Sequence, residues 1–287
     1  MTARAVVIIP HFNDQARLRR CLEALLVDLP AGVDVVVVDN GSHVPPATEL
    51  AEDFPKVQWL TQPKPGAAMA RNLGVAETRA EGLLFLDADC VPCAGWVQAG
   101  LDAMDHIDAA GGPVDVFDEG NAQTRTGAQA FEAVFAFDMR GYLDRVGFLG
   151  SGNLVTRRSV FDAVGPFRPG LSEDKDWSHR ARAAGFDLSF IDAFAVGHPS
   201  RGDWPALRRK WDRLTEESWG LHRAEGKGRW RWMARALLMP ASIVAHMPRI
   251  LRSPRLRGPQ ERWRAIGTLA RLRLTRMVWM LRQAIWA

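Results

Sequence analysis

The feature that most constrains the fold is an alternation of short apolar runs with amphipathic segments. Apolar residues fill positions 5–9, 35–38 and 83–86, as expected for strands that are buried on both faces of a parallel sheet. Between the first two runs, Asn13 and Asp14 can cap a helix with its apolar residues on one face. Strands that alternate with helices across short loops predict an α/β fold, with a mainly parallel sheet flanked by helices.

Polar residues follow each of the three predicted strands. They occupy positions 10–13 (PHFN), 39–42 (DNGS) and 87–89 (DAD). A single acid at such a position is often only a helix cap or a turn former. Ligands of parallel sheets gather at the carboxyl ends of the strands, so three polar strand ends together indicate a binding site.

Asp87 and Asp89 are spaced so that both carboxylates can face one ligand across a turn. Two such acids repel each other, and a cation would stabilise them. Mg²⁺ and Mn²⁺ take oxygen ligands and keep positions open for phosphate oxygens. The pair therefore suggests a divalent ion that holds a diphosphate, although the DxD pattern also occurs by chance.

Five segments resemble, in order, the successive motifs of family 2 glycosyltransferases. They are VVIIPHFND, VVVVDNGS, PGAAMARNLG, LLFLDADCVP and SEDKDW. The resemblance covers residues 4–200. It implies the GT-A (Rossmann-like) fold and metal-dependent transfer, with inversion, of a hexosyl or related group from a nucleotide-diphosphate sugar, with a UDP-sugar favoured, to an acceptor hydroxyl.

The same resemblance implies roles for particular residues of the donor site. Pro10, Phe12 and Asp39 would line the nucleoside pocket, Arg71 would lie near the diphosphate, Asp87 would lie near the ribose and sugar, and Asp89 would bind Mn²⁺ or Mg²⁺. His198 is expected to be a second metal ligand, because imidazole is a common ligand of Mn²⁺-type sites. An exposed helix arginine and a structural histidine are the alternatives for Arg71 and His198.

The late acidic motif would provide the catalytic base. A single inverting displacement needs a base for the acceptor hydroxyl, and the resemblance implies Asp174 in that role, with Glu173 supporting it or touching the acceptor. Asp176 would cap the helix or pair with Arg180. Upstream, Asn153 would hydrogen-bond the sugar or the acceptor. The alternative for the whole motif is an ordinary helix start capped by a serine.

The last third of the chain has a different composition. Residues 1–200 carry 17 Lys and Arg against 27 Asp and Glu, whereas residues 201–287 carry 20 against 6 and include eight of the 11 Trp. We therefore predict a catalytic domain at 1–200 and a helical extension at 201–287 that lies on an anionic membrane surface. A membrane-surface transferase suits a lipid or membrane-linked glycan acceptor. The alternative is packing of these helices on the catalytic domain, and no motif suggests nucleic-acid binding.

Three cysteines make no even disulfide framework, and the N-terminus lacks the pattern of a signal peptide. We therefore expect a cytoplasmic protein that is peripheral on the inner face of the cell membrane. Cys90 and Cys93 form a lone CxxC and are treated as ordinary small residues. A nucleotidyltransferase or an oxidoreductase would need a glycine-rich loop after the first strand, which is absent. A non-catalytic protein that binds nucleotide sugars or acts as a membrane scaffold stays open.

Overall fold

The computed structural model describes residues 3–120 and 123–286. It contains two compact units. The first consists of Met1–Asp115, Phe137–Pro169 and Glu173–His198, and the second of Val116–Ala136, Gly170–Ser172 and Pro199–Ala287.

The described strands are β1 (Ala5–His11), β2 (Val33–Asp39), β3 (Val57–Thr61), β4 (Gly82–Leu86), β5 (Val91–Pro92), β6 (Ala109–Gly111), β7 (Val114–Phe117), β8 (Asn153–Arg157), β9 (Leu188–Phe190) and β10 (Val196–Pro199). The described helices are α1 (Gln15–Leu26), α2 (Pro46–Leu50), α3 (Ala67–Ala76), α4 (Trp96–Met104), α5 (Gly127–Phe135), α6 (Met139–Val146), α7 (Arg158–Val164), α8 (Glu173–Ala183), α9 (Trp204–Ala224), α10 (Arg229–Leu237), α11 (Met239–Leu251) and α12 (Pro259–Trp286).

The first unit is built around a seven-stranded sheet with the order β3-β2-β1-β4-β8-β6-β9. Strands β1 to β4 are mutually parallel where they pair, and β8 runs antiparallel to both β4 and β6. The register of β1 on β2 pairs His11 with Asp39. The carboxyl ends of β1, β2 and β4 therefore lie side by side at one edge of the sheet. The predicted α/β fold with a mainly parallel sheet is confirmed.

Both faces of this sheet are covered, which explains why its strands are apolar without alternation. On one face, Val7 and Ile9 of β1 belong to a core that includes Leu18, Leu22 and Leu25 of α1. That helix begins as predicted, with the Asp14 carboxylate accepting a hydrogen bond from the backbone N–H of Arg17. On the other face, the strand residues Val6, Ile8, Val36 and Val38 pack with helix α3 and with the aromatic side chains of Phe161, Phe167 and Trp177.

The second unit is helical and has its own cores. Apolar side chains of α5, including Phe131 and Val134, pack with those of α9, α11 and α12, including Leu207, Ile250 and Leu269. The sequence predicted a division at residue 200. The structure instead also places residues 116–136 and 170–172 in this unit, because α5 is apolar on the side that these helices cover.

Helix α12 is 28 residues long and buries one narrow stripe. Its buried residues recur every three or four positions and are Glu261, Ala265, Leu269, Leu272, Arg276, Met280 and Ala284. This spacing keeps them on one side of a helix. Within the described parts of the chain, no helix combines the length and the apolar character that crossing a membrane requires.

Candidate active site

The acidic turn after β4 lies at the carboxyl edge of the sheet. The backbone N–H of Cys90 donates to the Asp87 carbonyl at 2.9 Å, and the N–H of Asp87 donates to the Gly152 carbonyl at 3.1 Å. A Cβ atom on Gly152 would come within 2.2 Å of Asp87 Oδ2. Gly152 is therefore the residue that lets the Asp87 carboxylate lie against the backbone.

Asp89 and His198 meet although they are far apart in the sequence. Strand β10 pairs antiparallel with β5, which directly follows the acidic turn, and this brings His198 Nε2 to 3.3 Å from Asp89 Oδ2. The Cys90 sulfur belongs to the same group, in which all ligand atoms lie within 4.8 Å of one another. Ligand atoms about 2.0–2.3 Å from a common ion would have such separations. The three side chains thus fit a divalent metal ion.

Arg71 of α3 links the two acidic motifs. Its Nη2 donates to Asp87 Oδ1 at 2.5 Å and its Nη1 to Glu173 Oε1 at 3.1 Å, while the residue itself is only 2% exposed. Burial by itself lowers the pKa of Arg71, but the carboxylates of Asp87 and Glu173 raise it above its usual value overall. The guanidinium that we expected beside the donor diphosphate is therefore already paired with two carboxylates.

Asp174 follows Glu173 at the start of α8 and is only partly exposed to solvent. Burial, together with the neighbouring Glu173 carboxylate, raises the pKa of Asp174 to about 6. The backbone N–H of Lys175 donates to its Oδ1 at 2.7 Å. A carboxylate with this pKa is ionised at neutral pH, and it is a stronger base than an ordinary aspartate.

The ends of β1 and β2 carry the residues expected in a nucleoside pocket. The Asp39 carboxylate is buried, accepts hydrogen bonds from the Ser42 hydroxyl and backbone N–H, and lies 3.3 Å from His11 Nδ1. Phe12 is 59% exposed, so its ring is available to a planar ligand, and Pro10 is half-buried. Sequence reasoning assigned no role to His11 or Ser42, although both belong to the polar segments at these strand ends.

Asn153 does not suit the ligand role that was expected. It is 1% exposed, its Oδ1 accepts from Trp96 Nε1 at 2.9 Å, and its Nδ2 donates to the Phe194 carbonyl at 2.9 Å and to the Pro113 carbonyl at 3.3 Å. All of its polar side-chain atoms are therefore bonded inside the protein. We leave Asn153 out of the proposed site, since the residue is 1% exposed and both N–H donors of its amide are used inside the protein.

Two further expectations can be compared with the structure. Asp176 accepts from Arg180 Nε at 2.8 Å, as predicted for this helix pair. Cys90 was treated as an ordinary small residue, yet its sulfur belongs to the candidate metal group. The pattern that could have indicated this is its position directly after Asp89. Cys93 is exposed and lies outside the group.

The fold is shared with solved glycosyltransferase structures. The structure of GalNAc-T7 with UDP, GalNAc and Mn²⁺ matches over 74% of this chain and 48% of that chain, at 17% identity and a TM-score of 0.54. Mannosyltransferase PcManGT from Pyrobaculum calidifontis, in complex with GDP-Man and Mn²⁺, matches over 99% of this chain and 73% of that chain, at 18% identity and a TM-score of 0.53. The fold is thus the GT-A fold of these glycosyltransferase structures. The chain spans about half the length of GalNAc-T7.

Sequence comparison identifies the family. Residues 6–165 match the family described as Glycosyl transferase family 2. Glycosyltransferase AglE of Haloferax volcanii is 28% identical over 216 residues, which cover 71% of this chain and 69% of AglE. The chain belongs to the family 2 glycosyltransferases.

Proposed function

We propose that the first unit transfers a sugar, a hexosyl or related group, from a nucleotide-diphosphate donor to an acceptor hydroxyl with inversion. The observation that carries this proposal is the position of Arg71, which joins Asp87 of the acidic turn to Glu173, the neighbour of Asp174. One cation facing these carboxylates leaves the group with excess negative charge. A divalent ion beside it would balance that charge.

On this proposal the donor lies along the carboxyl edge of the sheet. Phe12 and Pro10 contact the base, and the Asp39 carboxylate accepts from it with the lone pairs that Ser42 leaves available. Asp89 and His198 would hold Mn²⁺ or Mg²⁺, and the Cys90 sulfur of the same group would be a third ligand. The ion, when bound, supplies positive charge to the departing nucleotide diphosphate. The nucleotides and Mn²⁺ named with GalNAc-T7 and PcManGT support this choice of donor and metal.

We assign the proton transfer to Asp174. Inversion by a single displacement needs a base on the acceptor side of the sugar, and the raised pKa of Asp174 gives a base matched to neutral pH. Glu173 keeps Asp174 basic through its charge, while its own carboxylate is held by Arg71. Arg71 is accordingly a positioning residue, because it acts on the substrate through the two acids that it holds.

The surface of the second unit is our evidence for an acceptor that is linked to a membrane. Its surface exposes large apolar side chains on α10, α11 and α12, including Trp230, Leu237, Val244, Trp263 and Trp286. Arginines are interspersed along the same helices. Helices of this composition bind the interface of anionic bilayers, where each basic residue near the surface contributes about 1 kcal/mol. A protein held there would glycosylate a lipid or a membrane-linked glycan.

The decisive experiment separates donor binding from transfer. Calorimetry with UDP and Mn²⁺, followed by hydrolysis and transfer assays on a panel of UDP-sugars and GDP-mannose, should be run on the wild type and three variants. Asp89→Ala should lose Mn²⁺-dependent binding, whereas Asp174→Asn should bind the nucleotide normally and lose turnover by about 10²–10⁴-fold.

Asp192→Asn is the matched control, because the Asp192 side chain is 80% exposed and pairs with Arg140 at the surface. It should bind and turn over like the wild type. Unchanged turnover in Asp174→Asn would reject the assignment of the base. Equal nucleotide binding with and without Mn²⁺ would reject the metal site.

A further inference from the structure

Three arginines of the second unit lie together without acidic partners. They are Arg235 on α10 and Arg273 and Arg276 on α12. Among the residues that the structure describes, none of the three forms an ion pair with a carboxylate. Burial, together with the charges of Arg273 and Arg235, lowers the pKa of Arg276 to about 9. Arg273 is affected in the same direction, by burial and by Arg235.

The donors of this group are largely unused. Arg276 is only 7% exposed, its Nε donates to Thr215 Oγ1 at 3.2 Å, and its guanidinium lies 4.6 Å from the centre of the Trp211 ring. Neither of its Nη nitrogens has an acceptor within the described chain. Arg273 Nε is buried and also lacks an acceptor. An arginine has five N–H donors in a rigid fork, so one bond to Thr215 and a ring contact leave most of this capacity open.

Holding these like charges together without an acidic partner costs free energy of folding, unless an anion binds among them. Buried charges in proteins are normally paired, and like charges in one group oppose each other. Elsewhere in the same unit, partly buried cations follow this rule, since Lys210 pairs with Glu132 at 2.5 Å and Arg125 pairs with Asp118 at 2.6 Å. Contact with Trp211 offsets only a part of the cost for Arg276, because a cation–π contact contributes about 0.5–2 kcal/mol.

The ligand chemistry follows from the donors. Guanidinium groups bind phosphate oxygens through two parallel hydrogen bonds, and several of them together suit a dianion better than a singly charged group. The three side chains are graded in exposure, with Arg235 exposed, Arg273 intermediate and Arg276 buried. An anion would thus enter past Arg235 and contact Arg276 last.

We propose that Arg235, Arg273 and Arg276 form a binding site for a phosphate monoester or diphosphate group within the second unit. The residues that define the site lie on α9, α10 and α12. Thr215 orients the innermost arginine, and the open Nη groups bind the ligand oxygens. Either a soluble diphosphate or the head group of a phosphate-bearing lipid has this chemistry.

The test measures binding of sodium pyrophosphate to the full chain by calorimetry, in EDTA and at constant ionic strength. Arg276→Gln and Arg235→Gln should each weaken binding about tenfold or more, since each removes charged hydrogen bonds to the ligand. Arg282→Gln is the matched control, because Arg282 is an exposed arginine of the same helix. It should bind within about twofold of the wild type.

A second arm distinguishes the two sources of phosphate. Co-sedimentation with phosphatidylcholine vesicles, with and without phosphatidic acid, is measured for the same four proteins. A loss in Arg276→Gln and Arg235→Gln that is confined to pyrophosphate assigns a soluble ligand, and a loss confined to the phosphatidic acid vesicles assigns a lipid.

The proposal is overturned if both variants bind like the wild type in both arms, or if Arg282→Gln loses as much as they do. If Arg276→Gln fails to fold, the binding data for Arg235→Gln decide the test, because the Arg235 side chain is exposed and its replacement should not affect folding. No sugar nucleotide is present in either arm, so the outcome is independent of the proposed transfer reaction.

Discussion

Replacing Arg71 by methionine tests whether this one side chain holds the two acidic motifs together. Methionine keeps the unbranched apolar stem but removes the charge that pairs Asp87 and Glu173. Breaking a buried ion pair by deleting one partner costs about 3–5 kcal/mol. The side chains of Asp87 and Glu173 are 37% and 16% exposed, so water can solvate Asp87 in part, and we expect the lower end, about 3 kcal/mol.

A loss of this size is easily measured. For a unit of this size, about 1 kcal/mol corresponds to about 2–4 °C in the melting temperature, so Arg71→Met should melt about 6–12 °C below the wild type in calorimetry. Arg168→Met is the matched control. Arg168 contacts Asp176 at 3.4 Å with a side chain that is 58% exposed, and exposed pairs contribute about 0–1 kcal/mol.

A double variant isolates the pair itself. In Arg71→Met with Glu173→Gln, one of the two acids that lost their partner, Glu173, is replaced by a neutral side chain. Part of the lost stability should therefore return, and the effects of the two substitutions on stability should not add. If Arg71→Met melts within 3 °C of the wild type, or if the double variant is strictly additive, then Arg71 does not hold the acidic motifs.

Three further outcomes are expected. Gly152→Ala should keep the fold but weaken UDP binding with Mn²⁺ about tenfold, because its Cβ would displace the Asp87 carboxylate; unchanged affinity in calorimetry would contradict this. Asp174 must be deprotonated to act as a base, so kcat/KM should fall about tenfold per pH unit as the pH drops below about 6; a pH profile that is flat down to pH 4.5 would remove Asp174 from the mechanism. Trp230→Ser combined with Leu237→Ser should reduce co-sedimentation with anionic vesicles while leaving the circular dichroism spectrum unchanged, since both side chains are exposed; undiminished co-sedimentation would argue against a membrane role for α10. Truncation after residue 200 would not be an equivalent test, because it would uncover the apolar side of α5.

The fold and the general location of the site follow from local sequence patterns. Continuous apolar runs at β1, β2 and β4 identify strands that are covered on both faces, and Asp14 marks the start of α1. Parallel strands bring their carboxyl ends to one edge, so the polar segments after them could be assigned to one region in advance. The order of the motifs was sufficient to suggest the family.

Other features of the site could not be predicted from local sequence patterns, because they depend on contacts between distant residues. The pairing of β10 with β5 brings His198 to Asp89 and Cys90, although more than 100 residues separate them. The same holds for Arg71, whose pattern is that of an ordinary surface arginine on a helix but whose partners are Asp87 and Glu173. The ligand role expected of Asn153 does not suit its surroundings, and these also depend on distant residues. Nothing in the local sequence reveals that its amide forms hydrogen bonds with Trp96 and with two backbone carbonyls.

The amino-acid sequence by itself determined the strands β1, β2 and β4 and the start of helix α1, the acidic residues at the strand ends, and the basic, tryptophan-rich character of the last third. Only the tertiary structure decided which charges are paired and which are not. Arg71 and Arg276 are both helix arginines, yet one is buried between two carboxylates and the other among cations. The physical reason is that local patterns depend on backbone geometry and hydrophobicity along a few turns of chain, whereas the environment of a charge depends on which distant segments pack around it.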